Sequence, residues 1–130
     1  MSNIPHVTVL YAGLLGLVSF AIANYVGTVR RKAKVSIGDG GNLDLIAAMR
    51  AQANFIEHAP LALIIIGLLE MNGVSSVAVH ALGAGLVISR VLHPLGMGPK
   101  APLPLGRFIG TALVALVTLV ASIWAIVAFF

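Results

Sequence analysis

The sequence has few charged side chains and no cysteine. Of its 130 residues only 9% are charged, 59% are hydrophobic, and the mean hydropathy is +1.05. A soluble domain carries about 25% charged residues, so this chain cannot cover itself with a polar surface, and its composition predicts a membrane protein of one domain. The absence of cysteine excludes disulfides, thiolate metal sites and a cysteine nucleophile. Any thiol in its chemistry must therefore come from a ligand.

Apolar segments long enough to cross a bilayer follow one another along nearly the whole chain. About 20 helical residues cross the roughly 30 Å of hydrocarbon, and the sequence contains four such runs. It predicts an all-α membrane protein, a four-transmembrane-helix bundle in a single domain over residues 1–130, with helices at about 7–30, 43–70, 74–92 and 107–130. The proline-rich stretch 93–106 is predicted to be a loop. Because the basic cluster follows the first span instead of preceding it, we expect that span to be retained and not cleaved as a signal peptide.

The lysines and arginines, eight in all, cluster at one predicted face of the membrane. They fall in the first loop, in the third loop and at the span ends beside these loops. The positive-inside rule makes this face cytoplasmic, which leaves both termini and the turn at 71–73 on the other side. The formal net charge of +4 suits an anionic lipid or an anionic ligand equally well.

Polar side chains open the second apolar segment, in the stretch RAQANFIEHAPLALIII that begins at Arg50. Arg50, Asn54 and Glu57 are spaced i, i+4, i+7, which places them on one helix face. A charged side chain that faces lipid costs several kcal/mol, so this face must meet the bundle interior or a wet cavity. His58, in the same stretch, and His6 have no ligand partner at a suitable spacing, so no metal site is predicted.

A second polar group lies at the same predicted depth on the third and fourth segments. It consists of Arg90 and His93, spaced i, i+3, and of Arg107. Together the two groups carry an excess of positive charge, so an anionic ligand fits them. The charged members also have a structural interpretation. Arg50 and Glu57 would be an ion pair that holds helices in register, while Arg90 and Arg107 would be anchors that reach the membrane interface.

Other polar and small residues favour structural roles. His80 lies away from the polar cluster and is predicted to pack between helices. Gly83 and Gly85 are predicted to allow close helix approach. Glu70, with Asn72, is expected to cap the outer turn.

Two motifs in these segments resemble the signatures of the MAPEG family, the membrane-associated proteins in eicosanoid and glutathione metabolism. RAQANFIEHAPLAL is similar to the first pattern. In that pattern an arginine is followed four residues later by an asparagine and three residues after that by a glutamate. An aromatic residue or a histidine comes next, and then a proline. RVLHPLGM resembles the second pattern, and Arg107 falls where the family has an arginine at the start of helix four. GDGGN, EMNG and the chain length are similar to the small bacterial branch, so the resemblance covers essentially the whole chain. The residues of the first motif are Arg50, Asn54, Glu57, His58 and Pro60.

The resemblance implies a homotrimer of four-helix bundles in a bacterial inner membrane, with glutathione as co-substrate bound at each subunit interface on the cytoplasmic side. Arg107 would be the catalytic residue that activates the glutathione thiol. A hydrophobic co-substrate would arrive from the membrane lipid through a groove between helices one and four, and no nucleic-acid partner is expected. The resemblance assigns glutathione to residues of helix two of one subunit, completed by residues of the other helices. Those of helix two are Arg50, Gln52, Asn54, Glu57 and His58, and those that complete the site are Arg30 or Arg31 from helix one, with Arg90, His93 and Arg107 from the neighbouring helices.

The chemistry of glutathione agrees with these residue types. Arginine forks match its two carboxylates, Glu57 suits its ammonium group, and Asn54 and Gln52 suit its peptide groups. A guanidinium beside the thiol favours the thiolate and so lowers the thiol pKa from about 8.5. A drop of about 2 units needs roughly 2.7 kcal/mol of differential stabilisation.

These features predict an integral membrane glutathione transferase or peroxidase that reacts the thiolate with hydrophobic electrophiles or lipid hydroperoxides. The chain departs from particular branches of the family at three positions, where Ala53 replaces an arginine, Met97 a tyrosine and Phe108 a serine. These departures argue against a prostaglandin synthase and leave thiol activation to Arg107 alone. The alternative is a non-catalytic family member that binds and presents membrane lipid. A channel or transporter is disfavoured, because the outer halves of the spans are almost purely apolar.

Overall fold

The chain is a bundle of long apolar helices. The computed structural model describes residues 4–130, and within that range it contains four α-helices and no strand. Each helix is long and apolar enough to cross a membrane, so the predicted all-α transmembrane bundle is confirmed. The homotrimer stays a prediction. The helices are α1 (His6–Ala33), α2 (Leu43–Met71), α3 (Ser76–Leu95) and α4 (Gly106–Val127).

Two helices run further than the sequence predicts. α1 continues through the basic cluster and ends where Lys34 adopts a left-handed backbone with a φ of 56°. α3 continues through His93 and Pro94 to Leu95, so the prediction that the loop begins at residue 93 is wrong. Pro94 has no N–H to donate to the Arg90 carbonyl, so it removes one helical hydrogen bond, and the helix ends one residue later at Leu95. The helix then closes with a tight turn in which the Gly96 N–H donates to the His93 carbonyl at 3.1 Å.

The helices pack so that α2 and α3 lie between the two outer ones. α1 packs against α2 and α3, and α4 packs against α3 and α2, whereas α1 and α4 do not contact each other within residues 4–130. The core between them is aliphatic, with Ile66, Val79 and Leu86 fully buried and Val114 1% exposed. A groove between helices one and four, as the resemblance implies for the co-substrate, would therefore need α1 and α4 to come from different subunits.

Glycines set the distance of closest approach between α3 and its neighbours. A Cβ on Gly83 would overlap the ring of Tyr11, and a Cβ on Gly85 would lie 2.9 Å from Cγ2 of Val117. The predicted role of both glycines is therefore confirmed. Gly110 tolerates a side chain less well than these two, because its Cβ would lie 2.7 Å from the carbonyl oxygen of Ser89, which is a backbone atom and not the end of a side chain. Gly110 ends a G-x-x-x-G pattern that begins at Gly106. This pattern is typical of close helix packing, and it is the signal in the sequence that points to Gly110.

The two ends of the bundle are chemically distinct. At one end, the Glu70 carboxylate accepts hydrogen bonds from the backbone N–H groups of Val7 (2.8 Å) and Thr8 (2.7 Å) and from the Thr8 hydroxyl. Glu70 therefore caps the start of α1, not its own turn as expected, and its negative charge suits a helix N-terminus. His80 accepts or donates a 2.8 Å hydrogen bond with the Tyr11 hydroxyl, which confirms its packing role. The opposite end, called here the basic end, holds the C-termini of α1 and α3 and the N-termini of α2 and α4.

Candidate functional site

A buried arginine joins three helices at the basic end. Arg90 is 1% exposed. Its guanidinium donates to Oδ1 of Asn54 on α2 (2.6 Å), to the carbonyl oxygen of Gly110 on α4 (3.0 Å) and to Oγ of Ser89 on its own helix (3.1 Å). The Ser89 hydroxyl in turn donates to the Leu86 carbonyl at 2.6 Å. In the described part of the chain these partners are all neutral oxygens, so Arg90 is held as a structural bridge and does not act as half of an ion pair.

Beside this bridge a cleft opens between α2, α4 and the end of α3. We call it the basic cleft; its volume is about 620 Å³. It is enclosed on one side by the turn that follows α3, because Gly96 packs against the backbone of α4 at Arg107. The predicted site residues that line it are Arg50, Asn54, His93 and Arg107. The structure therefore brings together, in one chain, residues from both sequence motifs and from the start of α4.

The basic cleft has an open cationic side. Arg107 is exposed on the first turn of α4. Arg50 lies 3.7 Å from Glu57, and both side chains are more than half exposed. An exposed ion pair is worth about 0–1 kcal/mol, so neither partner is strongly held. Because this pair lies within α2, the interpretation that it fixes one helix against another is wrong.

The inner side of the cleft holds a histidine with an unused ring nitrogen. His93 is 4% exposed, and its Nδ1 is buried with no hydrogen-bond partner in residues 4–130. A buried polar atom left without a partner costs about 1–3 kcal/mol. The backbone of His93 is held against α4, where a Cβ on Gly110 would lie 2.8 Å from its nitrogen. His93 is therefore fixed at the cleft wall, with one buried ring nitrogen that no group in residues 4–130 satisfies.

The basic residues of α1 lie outside this cleft. Arg30 donates to the carbonyl oxygens of Val35 (3.2 Å) and Gly38 (2.7 Å), and to the sulfur of Met49 (3.4 Å). These bonds tie the α1–α2 loop to both helices. Arg31 is exposed and donates to the hydroxyl of Thr28 one turn earlier. Neither arginine lines the basic cleft.

Predicted binding residues on α2 point in different directions. Gln52, Glu57 and His58 do not line the basic cleft. Gln52 follows Arg50 by two residues, which is a rotation of about 200° around the helix. One ligand in the cleft cannot contact both side chains. If both bind glutathione, they do so from different subunits.

Thr111 is a cleft residue that is not among the predicted site residues. It lines the basic cleft, and its hydroxyl donates to the Arg107 carbonyl at 2.8 Å. Its spacing of i+4 from Arg107 puts the two on one face of α4, which is the signal that would have identified it. No group of side chains in the described range is placed to hold a metal ion.

Comparison with known proteins gives consistent results. A sequence model of the MAPEG family matches residues 8–127. The chain is 34% identical over 90 residues to inner membrane protein YecN of Escherichia coli K12, and the match covers 69% of each chain. The protein of the same name in Escherichia coli O6:H1 matches with the same identity and coverage.

Proposed function

This chain belongs to the MAPEG family, and on that premise we propose that it is an integral membrane glutathione transferase, with peroxidase activity on lipid hydroperoxides. The proposal places it in a bacterial inner membrane, with the basic end in the cytoplasm; the positive-inside rule supports this orientation. The observation that carries the proposal is the convergence of Arg50, Asn54, His93 and Arg107 in one cleft. Their chemistry matches a peptide with two carboxylates and a thiol.

The Arg90 bridge supports the proposal by orienting Asn54. Oδ1 of Asn54 accepts from Arg90, so the group that Asn54 offers to a ligand is its amide N–H₂. That donor suits a peptide carbonyl of glutathione. Arg50 offers a fork to one carboxylate. Glu57 does not line the cleft, but it lies beside Arg50 with its side chain more than half exposed, and it suits the ammonium group.

Two features of Arg107 favour the thiolate. Its guanidinium is exposed in the cleft, and it sits in the first turn of α4. Both a nearby guanidinium and the positive end of a helix dipole lower a thiol pKa.

The thiolate sulfur then forms a bond to the electrophilic carbon of the co-substrate, and the leaving group departs with the bonding electron pair. In the peroxidase reaction the sulfur attacks the terminal peroxide oxygen, the O–O bond breaks, and the lipid alkoxide takes up a proton and leaves as its alcohol. The sulfenic acid of glutathione that results then reacts with the thiol of a second glutathione to give the disulfide and water.

Residues outside the cleft enter the proposal through the homotrimer. Gln52, His58 and one arginine of α1 would reach glutathione from a neighbouring subunit. Their positions on other faces of the bundle are compatible with that arrangement. The hydrophobic co-substrate would come from the membrane lipid.

The test is a titration of the purified protein in detergent with glutathione, followed by difference absorbance in the thiolate band. We expect a saturable thiolate signal at neutral pH that Arg107→Ala abolishes. Lys32→Ala is the matched control, because Lys32 is an exposed basic residue at the same end that does not line the basic cleft. Binding without a thiolate signal would refute the enzyme and favour the lipid-presenting alternative. No binding at all would refute the glutathione site itself.

A further inference from the structure

A second, mostly apolar cleft lies beside the basic cleft, on the adjacent face of α2. We call it the apolar cleft; its volume is about 310 Å³, and it is bounded by α1, α2 and the α3–α4 loop. Exposed Asp44, Lys100 and Tyr25 stand at its edge. The apolar side chains that define its interior are Ile22, Ala48, Ala51, Leu95, Met97 and Pro102.

The two clefts share one thin wall. Ala47, Met97 and Gly98 line both of them. The loop crosses α2 closely at this point, since a Cβ on Gly98 would lie 3.1 Å from the Cβ of Ala47. Gly98 also has a φ of +93°, which a residue with a side chain rarely adopts. Met97 is therefore the one large side chain in the wall, and methionine is flexible enough to move aside.

The size of the apolar cleft restricts what it can hold. Small-molecule sites have volumes of about 300–1,000 Å³, so 310 Å³ fits a compact molecule and is too small for a two-chain phospholipid. The room exists because α2 presents alanines at positions 47, 48 and 51. Asp44 and Lys100 form no ion pair with each other in the described chain, so one can accept and the other donate a hydrogen bond to a polar substituent.

We propose that the apolar cleft binds the second substrate, a compact lipophilic electrophile with a polar substituent, and that Met97 separates its reactive carbon from the thiolate in the basic cleft. The reaction rests on the proposed function, whereas the binding site does not. This site lies within one chain, between α1 and α2. It differs from a groove between α1 and α4, which do not contact each other in residues 4–130.

The binding site is tested without glutathione, by photolabelling with 3-trifluoromethyl-3-phenyldiazirine and locating the labelled peptides by mass spectrometry. We expect saturable labelling of residues 44–51 and 95–102 that 1-chloro-2,4-dinitrobenzene displaces. Ala51→Leu, which fills the cleft, should reduce this labelling at least tenfold. Ala53→Leu is the matched control on the same helix, because Ala53 lines neither cleft. Labelling confined to the exposed faces of α1 and α4 and unchanged in Ala51→Leu would overturn the site.

Steady-state kinetics then separate this site from the glutathione site. Ala51→Leu should raise KM for 1-chloro-2,4-dinitrobenzene at least tenfold while the Kd for glutathione, read from the thiolate signal, changes less than twofold. A KM for the electrophile that stays constant would refute the assignment to the second substrate. Displaceable labelling in a protein that gives no thiolate signal would refute the proposed function and leave the binding site in place.

A second variant protects the test against misfolding, since Ala51 is only 4% exposed. Met97→Ala removes atoms instead of adding them, and it should join the two clefts. We expect kcat/KM for electrophiles bulkier than 1-chloro-2,4-dinitrobenzene to rise at least fivefold in this variant. An unchanged ratio between bulky and compact electrophiles would overturn the role of Met97 as the wall.

Discussion

Arg90→Lys should destabilise the bundle although it conserves the charge. The guanidinium of Arg90 spans from Asn54 Oδ1 on α2 to the Gly110 carbonyl on α4, at 2.6 and 3.0 Å. A lysine ammonium is a point donor and cannot reproduce a fork that reaches both helices. It is also more strongly hydrated than a guanidinium, so its burial costs more. Both effects have the same sign.

The size of the loss follows from the bonds between helices. In membrane proteins such hydrogen bonds average about 0.6 kcal/mol and reach about 1.7 kcal/mol. Arg90 makes two short bonds of this kind, to Asn54 Oδ1 and to the Gly110 carbonyl, beside a longer one of 3.5 Å to the Asn54 carbonyl. With the two short bonds counted, Arg90→Lys should lower the free energy of unfolding by about 1–3 kcal/mol. Because Asn54 also loses its fixed orientation, the Kd for glutathione should rise several-fold.

The assay is unfolding in mixed micelles by titration with sodium dodecyl sulfate, followed by helical circular dichroism. Arg107→Lys is the matched control, since it makes the same substitution on an exposed arginine at the same end. Surface substitutions usually change stability by less than about 0.5 kcal/mol, and we expect that here. If Arg90→Lys were as stable as the parent protein, or if both variants lost the same stability, the bridge would not be what joins α2 to α4.

Two further substitutions separate structural from binding roles at the same end. Gly110→Ala should lower the free energy of unfolding by about 1–3 kcal/mol, because the added Cβ meets the backbone of Ser89 and His93. Gly16→Ala is the control and should not lower it, because a Cβ there meets nothing within 4 Å. Equal losses of stability in the same detergent titration would show that close packing at Gly110 is not the cause. Arg30→Ala should accelerate proteolysis of the α1–α2 loop, whose carbonyls it holds, and leave the Kd for glutathione within twofold. A large rise in that Kd with unchanged proteolysis would show instead that Arg30 contacts glutathione.

Composition and periodicity predicted the fold because both act locally. The low charge and the four long apolar runs indicate membrane spans whatever the packing, and the ends of the helices fall within a few residues of the predicted ones. The exception is α3, which absorbs Pro94 into its last turn. A proline marks where a helix tends to end, and here the helix ends one residue after it.

The sequence predicted the candidate site as one set of residues. In the structure some of them line the basic cleft, and others have a structural role or lie elsewhere. Arg50, Asn54, His93 and Arg107 line one cleft, as the spacing on α2 and the common depth of the helices indicated. Arg90 is a different case, since at the sequence level it equally fits a ligand contact, an interface anchor or a buried bridge. It is buried because α4 can approach α3 at Gly110.

The sequence by itself determined the membrane environment, the helical class, the basic end and the identity of the polar residues gathered there. Each of these depends on residue types and on spacing along one helix. Only the tertiary structure decided which arginine is a bridge, which one holds a loop and which ones face a cleft. That choice depends on how far each helix is rotated towards its neighbours. Contacts between distant residues, such as Gly110 against Ser89 and Gly98 against Ala47, set that rotation, and local spacing carries no information about it.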